Sequence, residues 1–302
     1  MLIFEQFLNG LQYGMTLFLM AAGLTLVFGV MGLINLAHGS LYMIGAFACA
    51  AVAQATGSFW LGVGASLAAA AAAGALIELA VIRRLYHRDH LDQVLATFAL
   101  ILIASEGTRW VFGSFPLYLS LPPSLSGTVS LGGLVYPSFR LAVIGLGLAI
   151  AVFLFWLMRG TRLGIRIRAG EADREMIGAL GVDIRSLYTV VFALGAGLAG
   201  LAGALVGAVQ SVQVGMGEPV LILAFVVIVI GGIGSIGGAL AGALLVGMTD
   251  TLGRALLPAA LATIMPQASA TAVAASLASM LVYILMAAVL VWRPTGLFGV
   301  RG

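Results

Sequence analysis

The sequence predicts an all-α polytopic membrane bundle of about eight or nine transmembrane helices, some of them broken at glycines. Three observations carry that expectation. Charged residues make up only 8% of the chain, where soluble domains run at about 25%. Hydrophobic residues reach 62% and the mean hydropathy is +1.16. The apolar residues also form continuous runs close to the ~20 residues a helix needs to cross hydrocarbon, without the alternation of a membrane barrel. A soluble enzyme could not cover its surface with so few charges, and a disordered chain needs low hydrophobicity and high charge. A net charge of +3 offers no basic face for nucleic acid. One cysteine, Cys49, leaves no internal disulfide framework and no cysteine-based metal cluster.

The runs lie near 8–30, 33–54, 59–82, 93–113, 139–158, 188–212, 218–235, 237–257 and 270–292. The stretch before the first carries Glu5 and no positive charge, so it lacks the basic start of a cleaved signal peptide and is expected to stay. The second run opens between Gly32 and Gly39 with Asn35 and His38 and no acid nearby. The third ends at Glu78, about a turn from Arg83 and Arg84, toward which it is expected to snorkel. The fourth carries Glu106 and Arg109 three residues apart, and the eighth carries Asp250 and Arg254 four apart. Such spacing lets each pair meet on its own helix face, as self-neutralised pairs. Apolar sequence from Pro219 to Leu257 is too long for one helix, and its break is expected at the cluster Gly231–Gly238. Nine spans result, or eight if that region or 33–54 only dips into the bilayer. Gly10/Gly14, Gly203/Gly207 and Gly238/Gly242 are small-residue spacings for close helix packing.

Positive charge sets the orientation. Eleven of the 14 arginines lie after the third, fifth and last spans, as Arg83, Arg84, Arg88, then Arg159, Arg162, Arg166, Arg168, Arg174 and Arg185, then Arg293 and Arg301. With nine spans this puts the N-terminus outside and the C-terminus in the cytoplasm. The polar, proline-bearing segment 114–138 has no Lys or Arg and reads as an external loop.

The longest cytoplasmic segment, 159–187, holds six arginines against Glu171, Asp173, Glu175 and Asp183. From Glu171 to Leu180 its apolar residues Met176, Ile177 and Leu180 fall at helical spacing, and Gly181 follows as a C-terminal cap. Acidic residues suit the positive start of such a helix. One reading is a surface helix or a basic loop holding anionic lipid heads; the other is a docking helix for a soluble partner.

Ionisable and polar groups inside a span are costly and mark function by default. Asn35 and His38 therefore carry two open readings, a solute route in a glycine-interrupted span or a capping Asn beside a hydrogen-bonded His. His87 and His90 sit in an arginine-rich loop with no Cys/His cluster, so no metal site is expected. Without lysine there is no phosphate-binding P-loop, and no nucleophile–base constellation appears, so any ATP is hydrolysed on another chain.

Four blocks carry a family resemblance. Gly32-Leu33-Ile34-Asn35-Leu36-Ala37-His38-Gly39, continuing through Tyr42 to Ala46, resembles the early signature of branched-chain amino-acid ABC transporter permeases. So do the loop from Arg168 to Val182, the cluster Gly231–Ser235, and Arg293-Pro294-Thr295-Gly296-Leu297-Phe298-Gly299. The blocks keep the family's order and cover nearly the whole chain, and the first is of the Asn-Leu-Ala-His-Gly permease type.

The resemblance implies a single permease domain over 1–302, without cofactor and not itself an enzyme, in a bacterial-type cytoplasmic membrane. It implies partners as well: ATP-binding subunits, a second permease subunit in a homo- or heterodimer, and an external solute-binding protein. Asn35, His38, Ser40 and Tyr42 then fall on the substrate pathway. Arg174, Glu175, Met176, Ile177, Leu180 and Gly181 fall on the surface that couples to the ATPase. The family's Glu-Ala-Ala, three residues, Gly pattern meets Glu175, Met176, Ile177 and Gly181 here, with both alanines enlarged. Ser40 stands where many relatives have Glu, which leaves the solute open among branched-chain amino acids, urea, amides and aromatic acids. A free-standing secondary transporter or channel is the competing function, and an integral-membrane enzyme the third.

Overall fold

A computed structural model describes residues 2–86 and 88–299. His87 and Arg301, used in the charge reading, lie outside the described residues. The helices run in order α1 (Leu2–Met31), α2 (His38–Thr56), α3 (Phe59–Ala80), α4 (His90–Phe112), α5 (Ser138–Gly160), α6 (Arg162–Ala172) and α7 (Arg174–Ala179). Then follow α8 (Ile184–Val209), α9 (Gly217–Gly231), α10 (Ile236–Leu261) and α11 (Gln267–Trp292). Among the described residues eight helices are long and apolar enough to cross a membrane, and α9 is a shorter apolar helix. All nine apolar runs become helices, and the long run breaks at the turn Gly232–Ser235, inside the glycine cluster.

A helix apolar all round belongs inside a bundle. The spanning window of α1 is 89% buried and that of α8 72%, whereas α4, α11 and α5 form the outer wall at 11%, 17% and 22%. Their outward faces carry large exposed apolar side chains such as Leu102, Phe153 and Ile284. The exposed tryptophans sit at helix ends, Trp60 and Trp110 at one end of the bundle and Trp156 and Trp292 at the other, as in the aromatic belts of membrane proteins.

The segment read as a plain loop contains a two-stranded hairpin, β1 (Thr128–Leu131) and β2 (Leu134–Pro137), antiparallel with Thr128 opposite Pro137. Its two-residue turn, Gly132-Gly133, has positive φ at both positions, which such a turn requires. Tyr136 donates to Asn9 at 3.0 Å, tying the hairpin to the start of α1, and burial pushes the Tyr136 hydroxyl's pKa up. This marks the hairpin end of the bundle; the arginine-rich segments lie at the opposite end.

The second apolar run does not begin its helix at 33. Gly32, in the left-handed region with φ +64, ends α1, and residues 33–37 return along the core before α2 starts at His38. His38 lies beside Gly23, deep in α1 rather than at its end. The chain repeats this device in the opposite direction. After α8 it turns back over 210–216, pairing Val212 with Leu117, and α9 starts at Gly217 against the backbone of Gly39.

The surroundings correspond too. α1 packs on α10 as α8 packs on α3, and Gly23 and Gly195 meet backbone to backbone where α1 crosses α8. Ser58 and Ser235, each after a glycine with positive φ, cap α3 and α10 by accepting from the N–H three residues on. The four-helix units α1–α4 and α8–α11 are thus arranged as inverted repeats, a transporter design that brings broken segments together deep in the bundle. The predicted glycine spacings fall at these contacts: Gly10 and Gly14 lie on Gly247 and Ala243, Gly203 on Tyr42, and Gly242 on Val227.

Candidate functional site

Two adjoining cavities enter from the hairpin end. The outer, about 680 Å³, is walled by Gln6, Asn9, Gln12 and Tyr13 of α1, Arg140 of α5, Gln210, and Asp250, Thr251 and Arg254 of α10. The inner, about 320 Å³, shares Tyr13 and Gln210 and adds Thr16, Tyr42, Gln213 and the start of α9 at Gly215–Met216. A helix start presents free N–H groups and the positive end of its dipole, and at α9 the Glu218 carboxylate in the first turn, near Gly215, offsets that charge.

The α1 contribution follows from spacing: Gln6, Asn9, Tyr13 and Thr16 fall three or four residues apart, on one face of the helix. Sequence reasoning did not single these residues out, although a polar stripe in an otherwise apolar helix was the available signal.

Asp250 and Arg254 meet as the i, i+4 spacing predicts. Arg254 Nε donates to both carboxylate oxygens at 3.0 and 2.9 Å, and Nη2 reaches Ser279 Oγ on α11 at 3.4 Å. Arg140 donates to Asn9 Oδ1 at 2.6 Å. The Glu106–Arg109 pair also forms but stands exposed on α4.

Of the four residues placed on the substrate pathway, Tyr42 alone lines the inner cavity. Asn35 and His38 are fully buried and Ser40 nearly so. Asn35 Oδ1 accepts from Ala37 N–H at 3.0 Å, an Asx turn that launches α2, while Nδ2 is unpaired. His38 lies near the Met20 carbonyl without a hydrogen bond of ordinary geometry at either ring nitrogen. Asn35 therefore sits in the return stretch below the cavities and His38 at the α2 start that follows it, against α1.

Glu78 meets Arg83 as expected but does not snorkel. It is wholly buried and binds Arg83 through Nε and Nη2 at 3.2 and 3.1 Å, the Tyr86 hydroxyl at 2.5 Å and the Thr189 hydroxyl at 2.6 Å. Four donors satisfy the carboxylate in place and clamp α3 to α8. Arg84 is not among them.

At the arginine-rich end the docking helix starts later than the charge pattern suggested. Glu171 belongs to α6, and Asp173 breaks the helix and caps α7 by accepting from Glu175 and Met176 N–H at 3.0 and 2.9 Å. Gly181, φ +85, closes α7 with paired bonds, Val182 N–H to Ile177 O at 3.3 Å and Gly181 N–H to Gly178 O at 3.0 Å, a Schellman cap. The three apolar residues do not share one exposed face. Ile177 turns inward at 5% exposure, while Met176 and Leu180 stand out at 59% and 77%. Arg174 begins α7 and Glu175 is exposed on it.

Beneath α7, α6 touches α1, α8 and the α9–α10 turn at once. Gly170 lies by Val30 of α1 and Leu187 of α8, and the Glu171 carboxylate abuts Gly29 and Gly234. Desolvation there pushes the Glu171 pKa up.

The chain is matched over residues 6–290 by the family model described as the permease component of the branched-chain amino acid transport system. It is 30% identical over 268 residues to the high-affinity branched-chain amino acid transport system permease protein LivH of Escherichia coli, covering 84% of this chain and 86% of that protein. It is 29% identical over 264 residues to BraD of Pseudomonas aeruginosa, of the same description, covering 82% and 85%. A probable LivH of Methanocaldococcus jannaschii is 26% identical over 253 residues, covering 80% and 78%.

Proposed function

The chain belongs to the family of branched-chain amino acid transport permease components, and on that premise we propose that it forms the membrane path of an ATP-driven importer of branched-chain amino acids. Partner chains hydrolyse the ATP and capture the solute outside. The observation that supports this most is the pair of adjoining cavities, an outer one lined by polar and charged side chains and a mostly apolar inner one, entered from the hairpin end and narrowing toward the starts of α2 and α9.

In this reading the hairpin end and the N-terminus face outside and the arginine-rich end faces the cytoplasm, as the positive-inside rule requires. A solute-binding protein delivers to the outer cavity. Tyr42, Thr16, Gln213 and the α9 start receive the solute in the inner one. Beyond them the Gly39–Gly217 contact and the stretch through Asn35, Ser40 and His38 close the way.

Force from an ATPase arrives at α7, where Met176 and Leu180 offer apolar anchors and Glu175 a charged one; the side chain of Arg174, placed on the same surface by the sequence, lies outside the described ones. Ile177 and α6 pass it to the ends of α1 and α8 and to the α9–α10 turn, the elements that carry both return stretches. A second permease copy or relative completes the assembly.

A free-standing transporter leaves the exposed, doubly capped α7 without a task. Uptake of radiolabelled leucine by cells carrying this chain with its neighbouring transport genes is expected to vanish when the ATPase gene is deleted. Uptake that persists without the ATPase, driven by an ion gradient, would overturn the reading.

A further inference from the structure

Charges are scarce in this chain, yet Arg140, Asp250 and Arg254 gather on one cavity at the hairpin end. Asp250 and Arg254 lie within a spanning helix, where ionisable groups are rare and mark function by default. This pair is not packed away: the Arg254 side chain is 53% exposed and that of Asp250 14%, and both open on a space within the ~300–1,000 Å³ of small-molecule sites. Arg254 spends Nε and Nη2 on Asp250 and Ser279, and its Nη1 makes no hydrogen bond among the described residues.

We propose that Asp250 and Arg254 form a zwitterion filter at the mouth of the route. The Asp250 carboxylate takes the solute's ammonium, and the Arg254 guanidinium, backed by Arg140, takes its carboxylate. The pair holds itself closed when the site is empty. A zwitterion opens it by supplying both opposite charges at once, so neither residue is left unpaired. Urea or an amide supplies neither charge and leaves the pair shut. The inference rests on the import reading and adds to it the residues that select for charge.

The test is uptake of radiolabelled leucine by the reconstituted complex at saturating loaded binding protein, for wild type, Asp250→Asn, Arg254→Gln, the double variant, and the exchange D250R/R254D. Singles leave one charge unpaired, and wild-type uptake in either would overturn the filter. The double variant is neutral and the exchange keeps an ion pair, so both retain a compensated fold, which complex yield on gel filtration checks. Both are expected to fall at least about tenfold in maximal uptake. Wild-type uptake in the double variant or the exchange would overturn the filter and leave a self-neutralised structural pair. A wild-type complex that carries urea and no leucine would overturn the import reading and the filter together.

Discussion

Replacing Gly217 with alanine is expected to destabilise the bundle at the point where its two return stretches meet. A methyl group on Gly217 would fall 2.5 Å from the Gly39 carbonyl carbon and 3.0 Å from its Cα. Ordinary contact starts at 3.4 Å and the Gly39 carbonyl oxygen is closer still than the carbon, so the first turns of α2 and α9 must separate by roughly 1.5 Å. Both sides are backbone, so no rotamer change relieves the clash, and overpacking of this kind costs about 1–3 kcal/mol.

The melting temperature of the purified complex should then fall by a few degrees, at about 2–4 °C per kcal/mol, and leucine uptake with it. Gly39→Ala meets the same junction at 2.8 Å from Gly217 O and should cost less. The double variant should cost less than the sum of the two, because both methyl groups force the same separation. Gly64 in α3, with nothing within 4 Å of its added methyl, is the control, expected to be neutral or to gain up to about 1 kcal/mol from helix propensity. A Gly217→Ala complex that melts with wild type and with Gly64→Ala would refute the reasoning.

Glu78→Ala removes the acceptor that Arg83, Tyr86 and Thr189 share across α3 and α8, and a drop in melting temperature is expected; because Arg83 keeps 31% exposure, the drop should be smaller than for a fully buried pair. Gly181→Val forces a side chain into the left-handed cap of α7, and with Glu175→Arg it should uncouple ATP hydrolysis from uptake while the protein stays in the membrane; full coupling in both would refute the docking role. His38→Leu and Asn35→Ala should lower uptake with assembly intact, and unchanged uptake in both would leave them as structural residues of the return stretch.

Hydropathy is a local property, and the nine runs and the Gly232–Ser235 turn were legible for that reason. The late start of α2 was not, because residues 33–37 are as apolar as the helix they precede; the left-handed Gly32 and the Asx turn at Asn35 set the boundary. The inverted repeat stayed hidden because an apolar run has no direction, and only contacts such as Gly23–Gly195 reveal it. Glu78 was misread because Thr189, one of its partners, lies 111 residues away. α7 was placed too early because Glu171 and Asp173 are both acidic, and only the geometry shows which one caps. The cavity wall was half legible. The Asp250–Arg254 pair followed from spacing, whereas Arg140 and Gln210 reach it only through the packing of α5 and α8 on α1.

Cysteine accessibility in the inner cavity tests the route most directly. In a Cys49→Ser background, Thr16→Cys and Gln213→Cys in the assembled complex should react with a small membrane-impermeant thiol reagent added outside. Leucine-loaded binding protein should slow that reaction. Protection from the outside with labelling from the cytoplasmic face, or reaction with a lipid-soluble reagent alone, would contradict both the route and the orientation.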